Sequence, residues 1–446
     1  MFILRDILLP LQLTFSNSLL GHVRRKWFVH VLMSCIIPFT NSMSSNLLRS
    51  LNHLFGMQEV KRRAFYVFMA SGKLGWSKMW EKLWAMIPDP ETDGRLLLAL
   101  DDCTNPKVGK KVFGCSHVFD HAAKTNQSKY PWAQCFTAIG LLKQVKGRWT
   151  CIPLIHRFYL PKKALDAGCE NMKVNGKVPA FQSKLAQAAD MLHTLSKHFA
   201  GMPILAVCDS WFGNNGLFAP TRKLVGNTFH ILSRLRRNIV LFDMPSVKVA
   251  GQLGRNRKYG ARLGSAAELA EIMQEKAIIT TVFLYGKKRE LLIASVDVML
   301  KNLHCPVRIV FVYRRTQWVA LFSTDLSLSV TQMIEFYGAR WKIESGFKEI
   351  KRDIGASSSQ TRKAQSVMNH LNFCMMSVTI TWLYALKLEN TIDRRHIVRG
   401  RNSFAFSDVR HIIAKAVLTD GFDTVCTIKS KPTQNITITA LLRMVA

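Results

Sequence analysis

Acidic residues are scarce in this sequence, with 29 Asp and Glu against 62 Lys and Arg in 446 residues. The formal charge of +33 exceeds what solubility requires, and its self-repulsion disfavours a compact chain unless a polyanion neutralises it. The basic residues are spread along the whole chain, which argues against one basic tail or one amphipathic membrane helix. Composition therefore favours nucleic acid as the partner.

Cysteine pairs and long apolar runs are also missing. The ten cysteines occur singly, with no CxxC pair, so neither a zinc cluster nor a regular disulfide framework is indicated, and a reducing cytoplasm fits best. The apolar runs WFVHVLMSCIIPF and FCMMSVTITWLYAL fall short of the roughly 20 residues that cross a bilayer. We interpret both as buried helices and expect no membrane partner.

The pattern of apolar residues changes several times along the chain. Helical spacing gives way to strand-like runs at RLLLALDD, and a helix over FQSKLAQAADMLHTLSKHFA precedes a buried strand, ILAVCD. The sequence therefore predicts an α/β fold with five parts: a helical N-terminal region (1–92), the first part of a core (93–237), a β-rich insertion (238–325), C-terminal core helices (326–390) and a basic C-terminal region (391–446).

Acids end two of the predicted strands, and a third acid lies on a later helix. These are Asp102, Asp209 and Glu344, with Asp101 as the alternative for the first because two acids are adjacent. Alone, a strand-end acid is often a turn or cap residue. Three carboxylates at one sheet edge repel each other, but they can hold divalent cations such as Mg²⁺. Two such ions suit phosphodiester chemistry.

The segment YGARWKIESGFKEIK carries the third acid. On a continuous helix at about 100° per residue, four polar side chains fall within an arc of roughly 60°: Tyr337, Arg340, Glu344 and Lys351. Isoleucine and phenylalanine side chains adjoin this polar face. A solvated ion-pair ladder would give the same pattern, since Arg340 and Glu344 are an i,i+4 pair.

Together these segments resemble the bacterial insertion-sequence DDE transposases of the YREK type. The helix matches their Tyr-x2-Arg-x3-Glu-x6-Lys pattern, while DDCTNPKVGKK and AVCDSWFG resemble their first-acid and second-acid motifs. The resemblance runs from about Leu97 to Leu386. It implies an RNase H-like core with a β-rich insertion, and two Mg²⁺ or Mn²⁺ ions. It also implies a double-stranded DNA substrate, comprising terminal inverted repeats and target, bound by a homodimer.

The resemblance also implies residue roles. The catalytic metal ligands would be Asp102, Asp209 and Glu344; Asp102 is preferred to Asp101 because the family's acid directly precedes a small polar pair, here Cys103 and Thr104. Cys103 where Thr is usual, and Ser210-Trp211 after the second acid, depart from the family pattern. The implied DNA contacts beside Glu344 are Tyr337, Arg340 and Lys351.

Further basic and aromatic residues are candidates for DNA contact. They are Lys107, Lys110 and Lys111 after the first acid, Arg234, Arg236 and Arg237 in SRLRRN, Arg255, Arg257, Lys258 and Arg262 in the insertion, and Trp318 for base stacking. Each has a structural alternative, either a solvated basic loop or, for the Trp, a place in the core. The N-terminal helices are expected to recognise terminal repeats, dimerise or pack on the core.

The reaction implied by the resemblance begins with hydrolysis of one strand at a transposon end. The freed 3′-OH then serves as nucleophile, through a hairpin in some relatives, before the ends are joined to target DNA. The alternatives are an inert DNA-binding relative and a structure-selective nuclease on the same fold. Acids at all three matching positions favour an enzyme over the inert form.

Overall fold

The computed structural model describes residues 2–53, 61–120, 123, 125–246, 255–315, 317–399 and 403–420. The N-terminal region is helical, as the sequence predicts. Its helices are α1 Phe2–Gln12, α2 Leu19–Ile36, α3 Ser44–His53, α4 Arg62–Met69 and α5 Trp76–Trp84.

Strands and helices then follow in the predicted order. They are β1 Leu96–Pro106, β2 Cys115–His117, β3 Trp132–Val145, β4 Arg148–Tyr159, α6 Lys162–Asp166, α7 Lys184–His198, β5 Ile204–Cys208, α8 Asn215–Val225 and β6 Phe229–Arg234. The strand-rich segment contains β7 Val240–Phe242, β8 Arg262–Ser265, α9 Ala266–Gln274, β9 Ile278–Leu284, β10 Lys287–Leu300, β11 Cys305–Tyr313 and β12 Trp318–Ser323. The last helices are α10 Val330–Ala339, α11 Lys342–Lys348, α12 Ala364–Lys387 and α13 Phe406–Asp420.

One mixed sheet joins the described strands. Its central order is β4-β3-β1-β5-β6, in which β1 pairs antiparallel with β3 and parallel with β5, and β5 pairs parallel with β6. Beyond β6 the sheet continues through β12, β11, β10, β7 and β8, while β9 pairs with β10. The predicted strand-rich segment therefore extends the same sheet.

The N-terminal helices pack on α12. The ring of Phe373, which is fully buried, contacts the rings of Phe28, Phe68 and Trp76. The indole Nε1 of Trp76 also donates to Asn369 of α12 over 2.8 Å. Both apolar runs are buried helices, as predicted, and the structure packs them against each other. No helix in the described ranges is long and apolar enough to span a membrane.

The helix predicted over Tyr337–Lys351 is interrupted, so the expectation of one continuous helix is wrong. After α10, the Ile343 N–H donates to the Arg340 carbonyl only three residues back, at 2.9 Å, which tightens the turn. After α11 the chain widens into a π-helical turn, Glu349–Ile354. Turns of this kind often occur at functional sites.

Glycine is required where the π-helical turn ends. Gly355 has φ +98°, and an added Cβ would lie 2.8 Å from the Cβ of Asn41, so any other residue would be strained and would clash. The Ser42 N–H donates to the Ile354 carbonyl at 3.0 Å. The N-terminal region therefore holds the end of this turn in place.

Because α12 joins the N-terminal helices to the sheet, Phe373→Ala should lower the free energy of unfolding by about 3–5 kcal/mol. Urea denaturation followed by circular dichroism measures this change. Val67→Ala on α4 is the matched control, since Val67 is 64% exposed and its truncation should cost less than about 0.5 kcal/mol. Separate unfolding of the N-terminal helices in wild type would contradict the shared core.

Candidate active site

Asp101 lies within β1, which continues to Pro106, so the expectation that the first acid ends its strand is wrong. Asp209 directly follows the adjacent parallel strand β5. The register pairs Leu100 of β1 with Cys208 of β5, so the two following residues are the two acids. Paired positions on neighbouring strands present their side chains to the same face. Asp209 Oδ1 accepts the backbone N–H groups of Trp211 and Phe212 at 3.0 and 2.9 Å, which fixes its orientation.

Arg340 connects these acids to Glu344. Its Nη1 donates to Asp101 Oδ2 at 3.1 Å, and its Nη2 forms an ion pair with Glu344 Oε1 at 3.5 Å. Although burial opposes the charge, neighbouring Tyr337, Asp101, Glu344 and Asp209 raise the pKa of Arg340 above its ordinary value. One guanidinium thus interacts with three carboxylates brought from β1, β5 and α11.

Burial raises the pKa of Asp101 to about 7, against the opposing charge of Arg340 and the backbone N–H of Asp102; the nearby Asp209 and Asp102 carboxylates add to the increase. Burial also raises the pKa of Glu344, although Arg340 opposes this increase. The site therefore concentrates negative charge in a poorly solvated place, where a cation is strongly favoured.

Asp102 is on the opposite face of β1, because successive strand residues alternate. Its Oδ2 forms an ion pair with Lys184 Nζ of α7 at 2.8 Å and accepts from Cys135 Sγ at 3.4 Å. The structure therefore brings Asp101, and not Asp102, together with Asp209 and Glu344 around Arg340. The sequence could not separate the two acids, since the whole of LLLAL before them is buried.

The other residues of the predicted polar face remain near this centre. The Arg340 guanidinium lies over the Tyr337 ring, 5.7 Å from its centroid. Burial raises the pKa of the Tyr337 hydroxyl. Lys351 is half-buried on the π-helical turn, and its Nζ donates to the Thr104 carbonyl of β1 at 3.1 Å. Because an ammonium has three donors, this hydrogen bond leaves Lys351 able to contact a phosphate as well.

Lys107 does not face solvent, contrary to its expected role as a DNA contact. It is 7% exposed, and its Nζ donates to the carbonyls of Ala356, Ser357 and Ser359 at 3.0, 2.9 and 2.8 Å. Because an ammonium has three donors, no N–H remains for phosphate. Lys107 instead attaches the segment after the π-helical turn to the end of β1.

The remaining basic candidates are at the surface. Lys110, Arg234, Arg236 and Arg237 are exposed, and electrostatic attraction between Arg234 and Tyr337 places Arg234 near the centre. Trp318 is half-buried, with its ring 5.8 Å from that of Phe311 and 4.7 Å from the Arg237 guanidinium. Part of this ring therefore belongs to the core.

Glu349 is a buried acid that the sequence did not single out. It is 6% exposed, and its Oε2 accepts from Trp382 Nε1 at 2.9 Å. Burial raises the pKa of Glu349 to about 8, although the Trp382 hydrogen bond and the charge of Arg148 oppose the increase. Glu349 is five positions after Glu344, and Phe347 and Ile350 lie close to it in sequence. This pattern indicates only the buried side of a helix.

The donor chemistry at the centre suits a divalent cation, since Asp101, Asp209 and Glu344 offer the carboxylate oxygens that Mg²⁺ and Mn²⁺ prefer. In the positions described, Arg340 takes up part of this capacity. Accordingly, no three acidic, histidine or cysteine side chains in the described ranges are close enough to surround an ion. The residue types fit the metal, while Arg340 lies between Asp101 and Glu344 and pairs with both.

A family-model match defines the class as an enzyme that cleaves nucleic acid. The family model described as DDE superfamily endonuclease matches residues 14–288, more than half of the chain, and the chain belongs to this family. The match includes both Asp101 and Asp209 and ends before Glu344. Among curated proteins, none matches the sequence. Enzymes of this family act on DNA and generally use divalent metals.

Lys107→Met should lower the free energy of unfolding by on the order of 3 kcal/mol, because three buried carbonyls lose their donor. Urea denaturation measures the loss. Lys110→Ala is the control, since Lys110 is exposed and should change stability by less than about 0.5 kcal/mol. Equal stabilities for the two variants would disprove the structural role of Lys107.

Glu349→Gln should stabilise the protein more at pH 8 than at pH 5. Because the folded-state pKa of about 8 is above the ordinary 4.5, the folded protein keeps a proton that the unfolded chain releases. In wild type, the contribution of Glu349 to the free energy of unfolding is fully present below pH 4.5 and is lost as pH rises through 8. Melting temperatures measured at both pH values test this difference; a pH-independent difference would refute it.

Proposed function

We propose that this protein is a DNA transposase of the YREK type, which cleaves strands at transposon ends and joins them to target DNA. The observation that carries the proposal is the Arg340 guanidinium joined to both Asp101 and Glu344. In this arrangement the Arg of the YREK pattern contacts both the Glu of the pattern and the first acid, which is 239 positions away in sequence. A solvated ion-pair ladder on one helix would not make this contact.

The sheet supports an RNase H-like core. Three antiparallel strands (β4, β3 and β1) are followed by two parallel strands (β5 and β6), with α7 and α8 as crossovers. This order places Asp101 in the middle of β1 beside Asp209 at the end of β5. The β-rich segment enters between β6 and α10, after the second acid and before Glu344, as the resemblance implies.

We propose Asp101, Asp209 and Glu344 as the metal ligands and catalytic acids, in place of the set containing Asp102. Asp102 is neutralised by Lys184 on the other face, which supports a structural role for it. When bound, one or two Mg²⁺ or Mn²⁺ ions would activate the attacking oxygen and stabilise the leaving oxygen of the phosphodiester.

The chain's own residues position the DNA in this proposal. Arg340 offers a planar donor fork to a phosphate, and its stacking on Tyr337 limits the directions that the fork can take. Lys351 supplies a second cation beside β1. When these cations bind phosphate, the carboxylates of Asp101 and Glu344 are released from Arg340. The substrates would be terminal inverted repeats and target DNA, held by a homodimer that pairs two ends.

Asp101→Asn, Asp209→Asn and Glu344→Gln should each reduce metal-dependent nicking by on the order of 10³-fold, since each loses several kcal/mol of transition-state stabilisation. Asp102→Asn is the matched variant and should retain most activity. The measurement is nicking of end-containing duplex DNA in Mg²⁺ or Mn²⁺, with melting temperatures to confirm folding.

Two outcomes would contradict the proposal in different ways. Unchanged nicking by Glu344→Gln would remove the YREK helix from the centre. Loss of activity in Asp102→Asn, with Asp101→Asn unaffected, would restore Asp102 as the first acid. Nicking without any joining of ends to a target plasmid would favour a nuclease over a transposase.

A further inference from the structure

A basic groove lies away from the carboxylate centre, between α2, α3, α4 and the segment that precedes α12. Its volume is about 980 Å³. We define the basic groove by five cations and one buried hydroxyl, all on its lining: Arg24, Arg63, Lys73, Arg362, Lys363 and Ser44. Among the described residues that line it, none is Asp or Glu.

The five cations have no acidic partner within the described ranges. The ion pairs found there involve other Lys and Arg residues, and Arg63, Lys73, Arg362 and Lys363 are exposed. Unpaired like charges around one cavity repel each other, at a cost to the folded state that an anion would relieve. The basic groove therefore suits a ligand with several negative charges.

Two helices begin at the basic groove. The 10-residue α3 starts at Ser44, and the 24-residue α12 starts directly after Lys363, which provides no side-chain cap. The first-turn N–H groups of a helix have no partner within the helix and favour anions. Neither first turn contains an acid that would neutralise these positive ends.

A buried hydroxyl without a partner provides a second, independent indication of a ligand. Ser44 is 4% exposed, lines the basic groove, and its Oγ makes no hydrogen bond in the structure. Buried polar groups are normally paired, and leaving one unpaired costs about 1–3 kcal/mol. Donation to an oxygen-rich ligand requires this side chain to turn toward the basic groove, because less than 1 Å² of its Oγ is accessible.

The basic groove is connected to the carboxylate centre through a short, fixed segment. The π-helical turn with Lys351 ends at Ile354, and Lys107 binds the carbonyls of Ala356, Ser357 and Ser359. Arg362 and Lys363 follow directly. The same β1 that carries Asp101 therefore fixes the segment that presents two of the five cations.

We propose that the basic groove binds the sugar–phosphate backbone of DNA, as a second contact beyond the carboxylate centre. The inference rests on the proposed function, which supplies DNA as the polyanion. Guanidinium, ammonium, hydroxyl and backbone N–H donors all recognise phosphate, and contacts to phosphate carry no sequence information. Binding here is therefore independent of sequence and strengthens the hold on DNA that passes the cleavage point.

The test uses the full-length protein, a fluorescein-labelled duplex of random sequence and EDTA to prevent cleavage. Arg362→Ala with Lys363→Ala removes two phosphate contacts, so the plot of log affinity against log salt should become shallower by about 1.8. This corresponds to about 30-fold weaker binding at roughly 0.15 M salt. Ser44→Ala should weaken binding several-fold with the slope unchanged, because a neutral donor releases no counterion.

The control is Lys197→Ala with Lys223→Ala, two exposed cations on α7 and α8, whose removal should leave the slope near the wild-type value. If the groove variant behaves like this control, the proposed groove contact is disproved while the proposed function stands. If wild type binds no duplex at all, the proposed function itself fails. If the groove variant loses binding of inorganic phosphate, measured by calorimetry, but keeps wild-type DNA affinity, the ligand is a free anion and the DNA proposal is wrong.

Discussion

The arrangement of the candidate site depends on how three carboxylates can share a poorly solvated space. Like charges that converge in such a place require a nearby cation, and Arg340 is that cation here, joined to Asp101 and Glu344. This requirement links β1, β5 and the helical segment after α10, which are far apart in sequence. A bound divalent ion would balance the charge of the acids in place of Arg340. The donors of Arg340 would then be available to a DNA phosphate.

The irregular backbone around the site places cations beside the three carboxylates. A tight turn at Arg340 and a π-helical turn at Lys351 direct side chains from one chain segment to β1 at two separate points. Such a backbone needs support, which comes from Gly355 against Asn41 and from Lys107 beneath the following segment. The N-terminal helices thus form part of the scaffold of the site as well as a wall of the basic groove.

Much of the secondary structure could be predicted from the sequence, because apolar runs and their spacing are local properties. The strands predicted at RLLLALDD and ILAVCD and the two buried apolar helices are present. The prediction of one regular helix fails at Tyr337–Lys351, because contacts with β1 and the N-terminal segment override the local helical preference. Lys107 was misjudged for a related reason: a lysine beside other lysines looks solvated until its surrounding carbonyls are known.

The sequence by itself determined which residue types are available: an excess of cations, acids at strand ends, and a Tyr-Arg-Glu-Lys spacing that resembles one group of DNA-processing enzymes. Only the tertiary structure decided that Asp101 faces Arg340 while Asp102 faces Lys184. Adjacent strand residues differ only in the face they occupy, and β1 is buried on both. When both faces are apolar, alternation carries no signal, so the choice depends on which helix packs on which side.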